Sequence, residues 1–157
     1  MFPEGVHLFE DLHTLRIGCY SYENVNADDD FLPLVQRLLP HGTWIIATPL
    51  YWYSMSAQAK TFLDRLTDLI TVHKEQGRLL RGKRLAVLCS GTDPRPPDSF
   101  SEPFRLTCAY LGMAFVGTHY TPFNRLQPAH ATARHDAQSF ARAVASGDDF
   151  QNTSAGD

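Results

Sequence analysis

Residues 43–70, TWIIATPLYWYSMSAQAKTFLDRLTDLI, decide the fold of this chain. The segment opens with the β-rich apolar run 44–47, which predicts a strand that is buried on both faces. Pro49 has no amide hydrogen to donate to a sheet, so the chain must leave the sheet there. Three consecutive aromatic residues follow at 51–53. The segment therefore predicts a strand that runs into an aromatic loop.

The second half of the segment predicts an amphipathic helix, which either Ser54 or Ser56 can cap and which extends to residue 70. Lys60 and Asp64 are one helical turn apart, so an ion pair between them is expected. A strand, a loop and a helix in this order mark the place where open α/β sheets bind ligands. The apolar residues of the helix are spaced three and four apart and form one stripe: Ala59, Phe62, Leu63, Leu66 and Ile70.

The composition excludes several classes of protein. A chain of 157 residues, 43% hydrophobic and 20% charged, predicts one globular domain with a full-sized core. The net charge of −3 and the lack of a Lys/Arg run argue against nucleic-acid binding. No apolar stretch approaches the ~20 residues that span a bilayer, and no signal-peptide pattern opens the sequence. Three scattered cysteines make no disulfide framework, so a reducing cytoplasm is the expectation.

The rest of the chain alternates predicted strands with predicted helices. Further strands are predicted at residues 6–10, 85–89 and 114–120, and further helices at 31–39, 104–112 and from 128 or 129 to 145. Residues 72–81 are polar and are expected to face solvent. This order predicts an α/β fold, in which a parallel sheet has helices on both faces. We expect residues 1–145 to form one domain and residues 146–157 to form a disordered tail.

No side chain is predicted to be catalytic or to bind a metal. No Ser, Cys or carboxylate stands in a nucleophile-elbow or dyad context, and the histidines lack ligand spacing. The three acids at 28–30 favour a helix N-terminus over a metal site, because consecutive carboxylates cannot all point at one ion. His119 lies near a strand end, where a partly exposed structural role is favoured over a role in the site.

A ligand site is predicted where two loops follow neighbouring strands. One loop is the aromatic segment 49–54. The other, 90–93, holds small residues, which let backbone amides approach a ligand closely. Together these loops can enclose a flat aromatic ring. The alternative is that the aromatic residues pack under a loop or across a dimer interface.

The motifs Pro-Leu-Tyr-Trp-Tyr-Ser, Ser-Ala-Gln-Ala-Lys and Phe-Leu-Asp-Arg, all within residues 49–65, resemble the flavin-contacting segment of the NADPH-dependent FMN reductase family. The resemblance implies a flavodoxin-like three-layer fold, FMN as cofactor and NAD(P)H as co-substrate. It implies that electrons pass to a small acceptor such as a quinone, free flavin, azo or nitro compound, or metal ion, and that the protein is a homodimer or homotetramer. The cofactor-binding residues it implies are Pro49, Leu50, Tyr51, Trp52, Tyr53, Ser54, Ser90, Gly91 and Thr92.

The chain departs from this family near Met1. Family members begin with a strand and a loop, rich in Gly, Ser, Arg and Thr, that holds the FMN phosphate, whereas strand 6–10 here resembles the family's second strand. The missing first strand would be central in the 2-1-3-4-5 order of the fold. Three explanations stay open: a start codon further upstream, a truncation, or an element supplied by a second subunit. The alternative function is therefore a non-enzymatic flavodoxin-like remnant that binds protein through its aromatic loop.

Overall fold

The centre of the molecule is a parallel sheet of three strands. The computed structural model describes residues 7–123 and 131–146, without the side chains of 131–135. The strands are β1 (Thr43–Pro49), β2 (Arg84–Gly91) and β3 (Ala114–Pro122). They are ordered β1-β2-β3, and both pairs are parallel. All three carboxyl ends therefore meet at one edge of the sheet, as the sequence predicts.

Helices cover both faces of this sheet and make three layers. The helices are α1 (Phe31–Leu38), α2 (Ala57–Arg65), α3 (Asp68–Thr71), α4 (Lys74–Arg78), α5 (Glu102–Leu111) and α6 (Ala131–Ser146), with 3-10 turns at Leu12–Thr14 and Asp98–Ser101. The first core cluster, which includes Phe62, joins α1, α2 and α5 to one face of the sheet. The second core cluster joins α6 to the other face, where Phe140 and Val144 pack on Ala86 and Val116. None of the described helices is long and apolar enough to cross a membrane.

Local chemistry sets the ends of the helices next to the sheet. The Ser56 hydroxyl accepts a hydrogen bond from the amide of Ala59 at 3.3 Å and caps α2. Gly112 ends α5 with φ of 71°, a left-handed conformation that glycine adopts at little cost. The chain can therefore reverse and enter β3 within two residues.

The strand predicted at residues 6–10 is not found. Val6 lies outside the described residues, and residues 7–10 have no regular structure. A strand exists only when a neighbour completes its hydrogen bonds, and among the described residues no strand lies on the edge of β1 that faces away from β2. The Glu10 carboxylate instead accepts a hydrogen bond from Arg37 at 2.6 Å.

The helix predicted to end at residue 70 is interrupted after Arg65. The amides of Leu66 and Thr67 bond to carbonyls three residues back, at 3.1 Å each, which tightens the chain into a turn before α3 begins. Residues 72–81, predicted to be a polar segment that faces solvent, are mostly exposed and contain the short helix α4. The prediction was wrong for Leu80, which is fully buried in the core. The predicted tail after Ser146, and residues 128–130 of the predicted last helix, lie outside the described residues.

Candidate functional site

A cleft of about 530 Å³ opens where the three strands end. Its volume is in the range of sites for small molecules, and its position is that of ligands in open α/β sheets. The described residues that line it come from the carboxyl ends of β1 and β2 and from the loops that follow the three strands: Pro49, Leu50, Tyr51, Trp52, Ser90, Gly91, Thr92 and Phe123.

Seven of the nine predicted site residues line this cleft. The other two, Tyr53 and Ser54, belong to the same loop but do not line it. Sequence reasoning missed Phe123, because the last strand was predicted to end at residue 120, whereas β3 continues to Pro122. The amide of Phe123 donates a hydrogen bond to the carbonyl of Gly91 at 2.6 Å, which fixes Phe123 beside the second loop.

The aromatic turn, residues 51–54, is a two-residue reversal with a strained backbone. Tyr51 and Ser54 exchange two backbone hydrogen bonds of 2.9 and 3.0 Å. Between them, Trp52 and Tyr53 have φ of 48° and 67°. Two successive left-handed residues are characteristic of a type I′ turn, for which Asn and Gly are preferred. A non-glycine residue costs ~1–2 kcal/mol in this conformation, and backbone strain of this kind is concentrated at functional sites.

Two buried hydroxyl groups close the base of the aromatic loop. The amide of Ser56 donates to the Thr48 hydroxyl oxygen at 2.9 Å, and the Thr48 and Ser56 hydroxyl oxygens are 3.3 Å apart. Both residues are buried. Thr48 belongs to β1 and Ser56 caps α2, so the loop between them has fixed ends. Trp52 is nevertheless 93% exposed at its tip.

The floor of the cleft is tightly built around Gly91. The amide of Leu50 donates to the carbonyl of Ser90 at 2.7 Å, which joins the first loop to the second. The buried Tyr120 hydroxyl donates to the carbonyl of Asp93 at 2.7 Å. A Cβ atom at Gly91 would lie 2.8 Å from the Tyr120 hydroxyl oxygen and 3.0 Å from Leu50 Cβ. Glycine is therefore required for packing within the protein.

The lining residues of the cleft within 7–123 and 131–146 include no charged side chain. Nearby, burial raises the pKa of the Cys89 thiol to about 11, so Cys89 stays protonated and is a poor nucleophile. Among the described residues, no group of three or more His, Cys, Asp or Glu side chains could hold a metal ion. The site suits a flat, largely neutral ring.

His119 is buried, so the prediction of partial exposure was wrong. Its ring stacks on Phe140 of α6, with ring centroids 5.5 Å apart, on the face opposite the first core cluster. Burial lowers the pKa of His119, against a smaller opposing effect of Asp136. His119 does not line the cleft. Because its ring stacks on Phe140, His119 contributes to the packing of α6 against β3.

A buried ion network lies at the end of α2. Arg65 donates to Asp29, to Asp68 at 2.7 Å and to the carbonyl of Gly18 at 3.0 Å. Its guanidinium also lies over the Phe31 ring, 4.7 Å from the ring centroid. This network ties the segment before α1 to the helix that follows the aromatic turn. The expected pair of Lys60 and Asp64 is confirmed at 2.6 Å.

A family model described as flavodoxin-like fold matches residues 5–146. The chain belongs to this flavodoxin-like family. The three-layer arrangement, the parallel sheet and the cleft at the carboxyl ends of its strands agree with that membership.

Named relatives of this flavodoxin-like chain include a protein of Bacillus subtilis (strain 168), provisionally named NAD(P)H-dependent FMN-containing oxidoreductase YwqN. It is 28% identical over 121 residues, which cover 73% of this chain and 65% of that protein. This chain therefore spans slightly less than two thirds of the length of that relative.

Solved structures share the fold. The Trp repressor binding protein from Bacillus subtilis is 24% identical with a TM-score of 0.56, over 74% of this chain and 71% of that one. An NADPH-quinone reductase from P. pentosaceus is 20% identical with a TM-score of 0.58, over 75% and 76%. The resemblance to NADPH-dependent FMN reductases is confirmed by the family match and by the name of the Bacillus subtilis (strain 168) relative. The solved structures confirm the fold.

Proposed function

We propose that this protein is an FMN-dependent oxidoreductase that takes hydride from NAD(P)H and passes electrons to a small acceptor. The observation that carries the proposal is the cleft where an aromatic turn and a small-residue loop meet at the ends of β1 and β2, and whose described lining residues are all uncharged. The name of the Bacillus subtilis relative supports the same reaction.

The residues of the cleft fit the ring of FMN better than its phosphate. Tyr51, Trp52 and Phe123 provide aromatic surface, on which flat rings stack. The loop of Ser90, Gly91 and Thr92 would present backbone amides to the polar edge of the ring. In the part of the chain that the structure describes, no Lys or Arg lines the cleft to meet a phosphate. Bound FMN would itself accept the hydride from NAD(P)H and pass the electrons on to the acceptor.

The side chains of this protein then have binding and shielding roles. The indole of Trp52 and the phenol of Tyr51 would cover one side of the ring and exclude water from it. Pro49 and Leu50 would pack against its apolar portion. No acid, base or nucleophile is needed from the protein, in agreement with the protonated state that burial gives to Cys89.

The acceptor and the assembly belong to the same proposal. The cleft opens to solvent beside Trp52, so a small acceptor could reach the ring after NAD(P)H has left. Tyr51, Trp52, Tyr53 and Phe123 all expose more than half of their surface near this opening. Such a patch is of the kind that a second copy covers in a homodimer or homotetramer.

The direct test is reduction of flavin by NADPH without oxygen. The full chain with FMN should lose the visible absorption of oxidised flavin faster than FMN and NADPH alone. Trp52→Ala should slow this reduction at subsaturating FMN, whereas Tyr110→Ala should not. Tyr110 is an exposed aromatic residue at the end of α5, at the opposite edge of the sheet. Reduction at the rate of free FMN would contradict the proposal.

One observation favours a second function, a subunit that binds protein through the aromatic turn. The exposed aromatic surface is combined with a cleft in which none of the described lining residues is cationic. The two functions differ in one result. A binding subunit would show no effect of FMN on its thermal unfolding, whereas the oxidoreductase should be stabilised by FMN in excess of its dissociation constant.

A further inference from the structure

The loop that follows β2, residues 92–96, is exposed but contributes Thr92 to the cleft. Within the described part of the chain, its link to the sheet is the hydrogen bond from the Tyr120 hydroxyl to the carbonyl of Asp93, at 2.7 Å. Tyr120 itself is 4% exposed and belongs to the core cluster beneath the sheet. The buried Tyr120 side chain therefore connects the core to an otherwise exposed loop.

We propose that Tyr120 is a positioning residue that holds the loop 92–96 in the conformation that receives the flavin, and that Gly91 is glycine so that the Tyr120 hydroxyl can pass. This inference rests on the proposed function and assigns a role to a residue that does not line the cleft. The close approach at Gly91 supports the role of that glycine. The nearest atom to an added Cβ would be the Tyr120 hydroxyl oxygen, at 2.8 Å.

The chemistry of the hydrogen bond suits a permanent support. Burial raises the pKa of Tyr120, with smaller contributions from Cys89 and Asp93. The hydroxyl therefore keeps its proton throughout the ordinary pH range and remains a donor. Cys89 lies directly opposite Tyr120 in the sheet register, so the ring is confined from the side of β2 as well.

The test compares Tyr120→Phe with Ser101→Ala in the full chain. Tyr120→Phe keeps the ring and removes only the hydroxyl. Ser101→Ala removes a different hydrogen bond to the same strand, the 2.8 Å contact with Thr118. Fluorescence quenching should show that Tyr120→Phe raises the dissociation constants of FMN and riboflavin about two- to tenfold, the range of one net hydrogen bond. Ser101→Ala should leave both constants unchanged, even if both variants melt at a lower temperature.

A double-mutant cycle separates positioning from general loosening. Gly91→Ala should weaken flavin binding in the wild-type background, because the added methyl group displaces the hydroxyl. In the Tyr120→Phe background the same change should weaken binding clearly less, since the tightest contact has gone. Equal effects of Gly91→Ala in both backgrounds would overturn the link between these residues. A wild-type dissociation constant for Tyr120→Phe, or an equal rise for Ser101→Ala, would overturn the role of Tyr120.

Backbone NMR order parameters test the inference independently of flavin. The order parameters of Thr92 and Asp93 should be lower in Tyr120→Phe than in the wild type, and unchanged in Ser101→Ala. If the wild type binds no flavin, the proposed function fails, while the order parameters still decide whether Tyr120 holds the loop. Unchanged order parameters at both residues in Tyr120→Phe would overturn the positioning role.

Discussion

Trp52 combines a strained backbone with an almost fully exposed indole, at the rim of the cleft. If the indole stacks on the flavin ring, Trp52→Ala should weaken FMN and riboflavin alike, by about 1–3 kcal/mol, the value of an aromatic ring stacked on a flat base. Fluorescence titration measures both affinities, with Tyr110→Ala as the control. Unequal losses of binding free energy for FMN and riboflavin would show that Trp52 contacts the phosphate end instead.

The left-handed backbone at Tyr53 makes an unusual prediction about stability. Glycine normally destabilises a folded chain relative to alanine, because it has more freedom to lose. At φ of 67° the order should reverse, since alanine keeps the Cβ clash and glycine does not. We expect Tyr53→Gly to be more stable than Tyr53→Ala by about 1 kcal/mol in urea unfolding. Both variants lose the same aromatic ring, so greater stability of the alanine variant would contradict the turn geometry.

At the scale of the element, Arg65 joins α2 to the segment before α1. Arg65→Met would leave Asp29 and Asp68 without their cation, and loss of one partner of a buried ion pair typically costs ~3–5 kcal/mol. Lys60→Met, on the same helix, removes an exposed pair and should cost less than about 0.5 kcal/mol. Urea unfolding at pH 7 gives both values. Similar small losses in the free energy of unfolding for the two variants would show that the Arg65 network does not stabilise the fold.

The same network predicts how stability depends on acid pH. Burial alone would raise the pKa of Asp29, but hydrogen bonds from Arg65, Gly18 and Phe31 outweigh it and lower the pKa below the ordinary 3.8. The unfolded chain therefore takes up this proton first as the pH falls. The contribution of Asp29 is complete above about pH 3.8 and is lost as the pH falls through the folded pKa. Asp29→Asn should flatten the stability profile below pH 4, and parallel profiles of both proteins would contradict this.

The sequence predicted the elements whose signals are local. The run 44–47, the proline after it and the stripe of the next helix were enough for β1, for α2 and for the place of the cleft. The Arg65 network was missed because Asp29 is 36 residues away, and no local pattern shows that their side chains meet. Phe123 was missed because strand ends depend on the neighbouring strand, here on the bond to Gly91. The prediction of a strand at residues 6–10 was wrong, because an alternating pattern forms a strand only where a neighbouring strand lies alongside.

At the scale of the whole molecule, the exposed aromatic patch around the cleft predicts a homodimer or a homotetramer. Light scattering at micromolar concentration should give more than one copy per particle. Tyr53→Glu places a charge in the patch and should shift the protein toward the monomer, whereas Tyr110→Glu, at the other edge of the sheet, should not. A monomeric wild type, or equal dissociation by both variants, would contradict an interface at this patch.

The central claim is that the cleft binds the ring of a flavin, and its most direct test is a titration of the full chain with FMN and with riboflavin. Among the described residues, the cleft has aromatic surface for the ring and no lining Lys or Arg for the phosphate. The hydroxyl of Ser56 already caps α2, the helix that begins beside the cleft. We predict that the fluorescence of both flavins is quenched on binding, and that both bind weakly with similar dissociation constants. No binding of either flavin, or tight binding of FMN with strong rejection of riboflavin, would contradict this account.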